Sequence, residues 1–177
     1  MKKLKMKKIW LLTFLGVLLT GCQQKVNPEA LQIYNDRLMS IQEQSVNSLE
    51  QYYRSLETWY NGTNLNDYYA TTLSQFESLK KEAQKVFVPH NENELKVAVI
   101  TYISWLQATF EKNEKPVVEL LTSFSGNATD FYRENKQIFS SYAMNLAHDL
   151  AILDKNLSQS HQNFQTKHKK NFASPKP

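Results

Sequence analysis

Residues 27–62 read NPEALQIYNDRLMSIQEQSVNSLEQYYRSLETWYNG, and the spacing of their apolar side chains decides the fold. Asn27-Pro28-Glu29 has the composition of a helix start. A side-chain acceptor sits at the cap, a proline occupies a position where its missing N–H costs nothing, and an acid faces the positive end of the dipole. Leu31, Tyr34, Leu38, Ile41, Leu49, Tyr52, Leu56 and Trp59 then recur at steps of three and four, with Ser45 as the one weak place. Asn61-Gly62 supplies the stop, since glycine readily takes the left-handed conformation that closes a helix. The stretch predicts one helix of about 33 residues, roughly 50 Å long at 1.5 Å per residue.

The same period continues downstream. A second helix is expected from Asn64 or Asn66 through Tyr69, Leu73, Phe76, Leu79, Ala83 and Val86, ending before Pro89. A third is expected to start within 91–94 and to run through Leu95, Ala98, Val99, Tyr102, Ile103, Leu106 and Phe110. Pro116 then kinks or breaks it within 112–116, because an interior proline removes one hydrogen bond and clashes one turn back. Val117 to Phe124 resume the pattern. A fourth helix, capped around 127–130, carries Phe131, Ile138, Tyr142, Leu146, Leu150, Leu153, Leu157 and Phe164 as far as about Asn171, before a frayed tail at 173–177. Only Gly62 and Gly126 lie beyond residue 22, too few for the turns of a β-rich fold. The expected fold is therefore all-α: an up-down-up-down four-helix bundle with short connections, a single domain over 28–172. A bent three-helix arrangement, with Pro116 splitting off a segment, is the structural rival.

Upstream of the bundle the composition changes. Lys2, Lys3, Lys5, Lys7 and Lys8 precede an apolar run from Ile9 to Leu19 that is broken only by Thr13 and Gly16. That run is shorter than the ~20 residues of a spanning helix and has the layout of a secretory signal. It ends in Leu19-Thr20-Gly21-Cys22, which resembles the lipobox of bacterial lipoproteins. The resemblance covers residues 1–22. It implies that residues 1–21 are removed, that Cys22 becomes the lipidated first residue carrying diacylglycerol and N-acyl lipid, and that residues 22–27 form a short tether. A lone cysteine in an exported chain has no internal disulfide partner, which agrees with that role. Two or three acyl chains anchor stably where one binds only marginally. Gln23 stands where an aspartate retains Gram-negative members of the family at the inner membrane. The implied address is the periplasmic face of the outer membrane in a Gram-negative cell, or the exterior of a Gram-positive one. The rest of the chain is similar in general form to small helical lipoproteins of unknown function.

Of the 21 basic residues five leave with the signal and none of the 17 acids does, so the net charge falls from +4 to −1. A nucleic-acid partner loses its electrostatic basis. The tether places the start of the first helix near the membrane and the 61–64 and 125–128 turns at the far end. Trp59, Tyr60, Tyr68 and Tyr69 gather at that far end and form a candidate partner surface; their alternative role is to cap the core. Lys167, Lys169, Lys170 and Lys176 gather at the near end as a candidate membrane-surface contact, or as cations that offset the negative end of the last helix.

Catalytic signatures are missing from the sequence. Ser123-Phe124-Ser125-Gly126 lacks the leading glycine of a nucleophile elbow, and no phosphate-binding glycine pattern occurs. No Glu-x-x-His pair suits a bundle metal site, so no metal ligand is assigned. Met39 with His161 or His168 is loosely similar to the haem ligation of four-helix b-type cytochromes. The sequence thus predicts a non-enzymatic, lipid-anchored envelope protein without cofactor, an interaction or assembly factor with a protein or glycan partner at its aromatic tip. The alternative is a bundle that binds haem, metal or lipid between its helices.

Overall fold

The computed structural model describes residues 27–56, 65–123 and 128–172. The lipobox, Cys22, Trp59, Tyr60 and Lys176 lie outside the described residues. Four long helices, α1 (Pro28–Leu56), α2 (Leu65–Lys85), α3 (Asn93–Ser123) and α4 (Ala128–Lys167), precede a single-turn α5 (Lys169–Phe172). No strand occurs among the described residues.

The start of α1 forms as its composition requires. Asn27 Oδ1 accepts from the backbone N–H of Glu29 at 3.0 Å and of Ala30 at 3.4 Å, and Leu31 N–H bonds back to the Asn27 carbonyl at 3.2 Å. Ser45, the gap in the apolar stripe, is fully buried and satisfied locally, its hydroxyl donating to the Gln42 carbonyl at 2.6 Å. Between α2 and α3 the chain reverses through a 3-10 turn at Pro89–Asn91, where Asn91 takes the left-handed conformation with φ of 62°. Asparagine tolerates that region at low cost, so the turn needs no glycine.

α3 is the central element, packed against α1, α2 and α4. Phe110 joins the first three helices. Its ring meets Tyr52 of α1 edge-on at 4.7 Å, stacks on Tyr69 of α2 at 5.5 Å and meets Phe76 edge-on at 5.6 Å. At the other end Tyr34 of α1 donates its hydroxyl to the Glu92 carbonyl and accepts from Lys96 N–H at 3.0 Å, while its ring touches Phe164 of α4. An Arg37–Glu82 ion pair links α1 to α2, and His161 of α4 meets Asn35 of α1 at 2.9 Å.

Two expectations need correction. Of the two alternatives at Pro116, the break is excluded: one helix runs through it from Asn93 to Ser123. The reason is packing on both sides of the proline, where Asn113, Glu114, Val117, Val118 and Leu121 are all buried and Pro116 itself faces solvent. The proline removes only its own N–H bond to the Lys112 carbonyl, and the buried stripe outweighs that loss. α4 also does not run unbroken to residue 171. It stops at Lys167, and a turn at His168 leads into α5, whose Phe172 ring lies 5.8 Å from Phe164.

Candidate functional site

The sequence-predicted tip divides between core and surface. Tyr68 is 42 % exposed, whereas Tyr69 is half-buried and stacked on Phe110. Tyr52, one turn beyond Ser48, is buried against the same ring. The aromatics of this end that the structure describes therefore serve mainly as packing, with Tyr68 the exception.

Behind them lies a buried polar cluster that the sequence reading did not single out. Glu114 is only 5 % exposed, and its Oε1 accepts the Tyr53 hydroxyl at 2.7 Å. The Tyr52 hydroxyl lies near the same carboxyl without a hydrogen bond of acceptable geometry, and the Tyr69 hydroxyl and Asn113 Nδ2 are likewise buried without a partner. Burial pushes the Glu114 carboxyl above the ordinary glutamate range, and the tyrosine hydroxyls only partly oppose it. Burial together with that carboxyl drives the Tyr52 and Tyr53 phenols upward. The cluster is thus a hydroxyl-rich polar patch inside an otherwise apolar core.

The near-end lysines also divide. Lys167 Nζ donates to Glu92 Oε2 at 2.9 Å, and His168 Nε2 stands 3.3 Å from Glu92 Oε1. The His168 ring is buried between Phe164 and Phe172. Burial pushes the Glu92 carboxyl up, but the Lys167 and His168 contacts outweigh it, and the net position lies below the ordinary range. Lys167 is therefore part of a latch that holds the end of α4 to the α2–α3 turn. Lys169 and Lys170 are exposed. Of the residues considered as haem ligands, both histidines have neighbours: His161 meets Asn35, and His168 stands in the latch beside Glu92. No group of three or more His, Cys, Asp or Glu among the described residues could hold a metal.

Among the described residues a concave surface lies where no site was predicted, between α3 and α4. It has a volume of about 540 Å³, within the usual range for small-ligand sites. Val97, Thr101 and Trp105 recur every four residues along its α3 wall; Ile152, Asn156 and Ser160 do the same along α4. Val97 and Trp105 are each 58 % exposed and Ile152 45 %. On its floor Tyr102 donates its hydroxyl to Asp154 Oδ1 at 3.0 Å, which ties the two walls together. Burial drives that phenol up to about 12, so it remains a donor across the physiological range.

One signal in the sequence could have revealed the groove. α3 carries two adjacent apolar stripes, the core stripe through Leu95, Val99, Ile103 and Leu106 and a second through Val97 and Trp105. A helix packed on one side only needs the first. No protein-family model, curated protein or solved structure matches this chain.

Proposed function

We propose that the protein is a lipid-anchored, non-enzymatic binding domain of the bacterial envelope, with the α3–α4 groove as its recognition surface. The observation that carries this is the line of Val97, Trp105 and Ile152, large apolar side chains left exposed around one continuous groove. Apolar surface of that kind, rimmed by polar groups, is what soluble domains retain for partners or ligands. The address rests on the lipobox, the sole cysteine and the five preceding lysines. In this reading attachment falls to Cys22; among the described residues no helix is long and apolar enough to cross a membrane.

The same reading orders the four long helices as an up-down-up-down bundle. Supporting it, Tyr34 meets residues 92–96 and Tyr53 meets Glu114, so α1 and α3 run in the same direction. Arg37 pairs with Glu82, and Tyr102 and Glu92 pair with Asp154 and Lys167, so α2 and α4 run oppositely. The start of α1 and the polar end of the groove, at Asn93, Glu94 and Ser160, then share the anchored end of the domain.

Photo-crosslinking in living cells tests the proposal, with the probe at Val97, at Tyr68 and, as a control, at the exposed Ser78 on α2. Adducts from Val97 alone support the groove. Adducts from Tyr68 alone would move recognition to the aromatic tip, and identical patterns from all three would mean no specific surface. The address has its own test: Cys22→Ser should release the protein from the membrane fraction and abolish incorporation of labelled palmitate, and unchanged fractionation would refute the anchor.

A further inference from the structure

The groove is the middle of a longer face whose charges lie only at its ends. Glu94 and Lys112 of α3 are five helical turns apart and so stand on the same side of the helix as Thr101. Asp149 and Lys167 repeat that spacing on α4, on the side of Asn156. Between the ends, no acid or base occurs from Val97 to Phe110 on α3 or, His161 aside, from Asn156 to Thr166 on α4. Asp154, bound by Tyr102, and Lys155 fall about a third of a turn or more off the line of Asn156. Absence of charge around an exposed tryptophan is the composition of an interface core.

The bonds of Tyr102 to Asp154 and of Lys167 to Glu92 fix how the two antiparallel helices lie side by side. In that register Trp105 is level with Ile152, Thr101 with Asn156 and Val97 with Ser160. Glu94 comes within about a turn of Lys167, and their charges interact; Lys112 comes within about a turn of the level of Asp149. Such a face matches itself. A two-fold axis parallel to the helices sets α3 of one copy against α4 of the other and leaves every level unchanged. Trp105 then meets Ile152 of the other copy, Thr101 meets Asn156, and each charged end meets its opposite. The threonine hydroxyl and the asparagine amide each donate and accept, so this polar middle layer is satisfied by its own copy and holds the register.

Resting on the groove as recognition surface and on Cys22 as the anchor, we infer that the face takes a second copy of this chain, in a parallel two-fold pair standing on one membrane. An axis across the helices would also oppose unlike charges, but it would turn one copy's first helix away from the membrane. The face is about 27 Å long and about 20 Å wide, roughly 500 Å² in projection, below the ~800 Å² per partner of a standard interface. The pair is therefore weak in dilute solution and relies on the anchor to raise the effective concentration.

Full-length chains with one added cysteine each test the pair. Thr101→Cys in one tagged copy and Asn156→Cys in a differently tagged one are co-expressed and oxidised on the cells, with the parent chain, which has only Cys22, as the control. The mixed 101–156 disulfide should exceed either like pair by at least ~5-fold. Lys112→Glu in both copies should lower it at least ~3-fold, and adding Asp149→Lys should restore it to within about twofold, which no folding defect would do. Predominance of the 101–101 disulfide, or a yield indifferent to Lys112→Glu, would overturn the parallel pair. No mixed disulfide above the parent, with Val97 adducts to a different protein in cells, would overturn the second copy and keep the groove as a recognition surface. If neither disulfide nor adduct forms, both readings fall.

Discussion

Replacing Glu114 with glutamine should make the domain more stable, and more so the higher the pH. The carboxyl is almost fully buried, has one hydrogen bond, from Tyr53 at 2.7 Å, and no cation pairs with it among the described residues. An ionised carboxylate offers about four acceptor sites, so ionisation here leaves most of them unfilled in a medium of low dielectric. The sign follows from linkage. With the folded-state value raised above the unfolded one, the native state holds the proton more tightly, so this group's favourable contribution is complete below the ordinary glutamate range and is lost as pH rises through the folded value. Glutamine keeps the acceptor for Tyr53 and never ionises. At about pH 4 the variant should match the parent within ~0.5 kcal/mol; at about pH 8 it should be more stable by about 1–3 kcal/mol, the usual penalty of a poorly satisfied buried polar group. Urea unfolding followed by far-UV circular dichroism measures the difference, with an unchanged slope showing that both unfold to the same extent. A difference that stays flat between those pH values, or a variant less stable than the parent at the higher one, would refute the account of this carboxyl.

Phe110→Ala removes the ring shared by Tyr52, Tyr69 and Phe76 and should cost about 3–5 kcal/mol; Phe87→Ala, at a largely exposed position, should change stability by less than ~0.5 kcal/mol in the same urea assay. Pro116→Ala restores the N–H that can reach the Lys112 carbonyl at an exposed helical position and should raise the unfolding free energy by about 1–3 kcal/mol. Glu92→Gln loosens the latch on Lys167 and His168. Amide exchange at 164–172 should accelerate near neutral pH while exchange around Phe110 stays unchanged.

What the sequence disclosed and what it concealed follow from one physical distinction. Helix positions were readable because burial imposes a period. Leu31, Tyr34, Leu38 and Ile41 in α1, and Leu95, Val99, Ile103 and Leu106 in α3, are among the fully or nearly fully buried residues of those helices. The Asn27 cap was readable because it is a local interaction of a side chain with its own backbone. Pro116 left a break open because proline is a local signal too, and here packing keeps the helix continuous through it. The same error hid Glu114: with 112–116 treated as an interruption, the steps from Phe110 to Glu114 to Val117 no longer counted as core stripe. The groove was concealed for another reason. Val97 and Trp105 are apolar residues on a helix already supplied with a core face, and which helix stands beside them is a matter of tertiary arrangement.

The two buried glutamates near opposite ends of α3 show how partners rather than burial set the behaviour of such a group. Glu92 and Glu114 are both largely hidden, and burial alone pushes each upward. Glu92 faces Lys167 of α4 and His168 and ends below the ordinary range; Glu114 faces only the hydroxyls of Tyr52 and Tyr53 and ends above it. Linkage then gives them opposite signs. The latch contributes stability above the ordinary glutamate value and loses it as pH falls through the lowered one, while the hydroxyl cluster loses its contribution as pH rises. As pH rises above the ordinary glutamate range, the latch beside the groove therefore keeps its contribution while the Glu114 cluster loses its own. Loosening on raising the pH should begin around Glu114 and spread to the groove last.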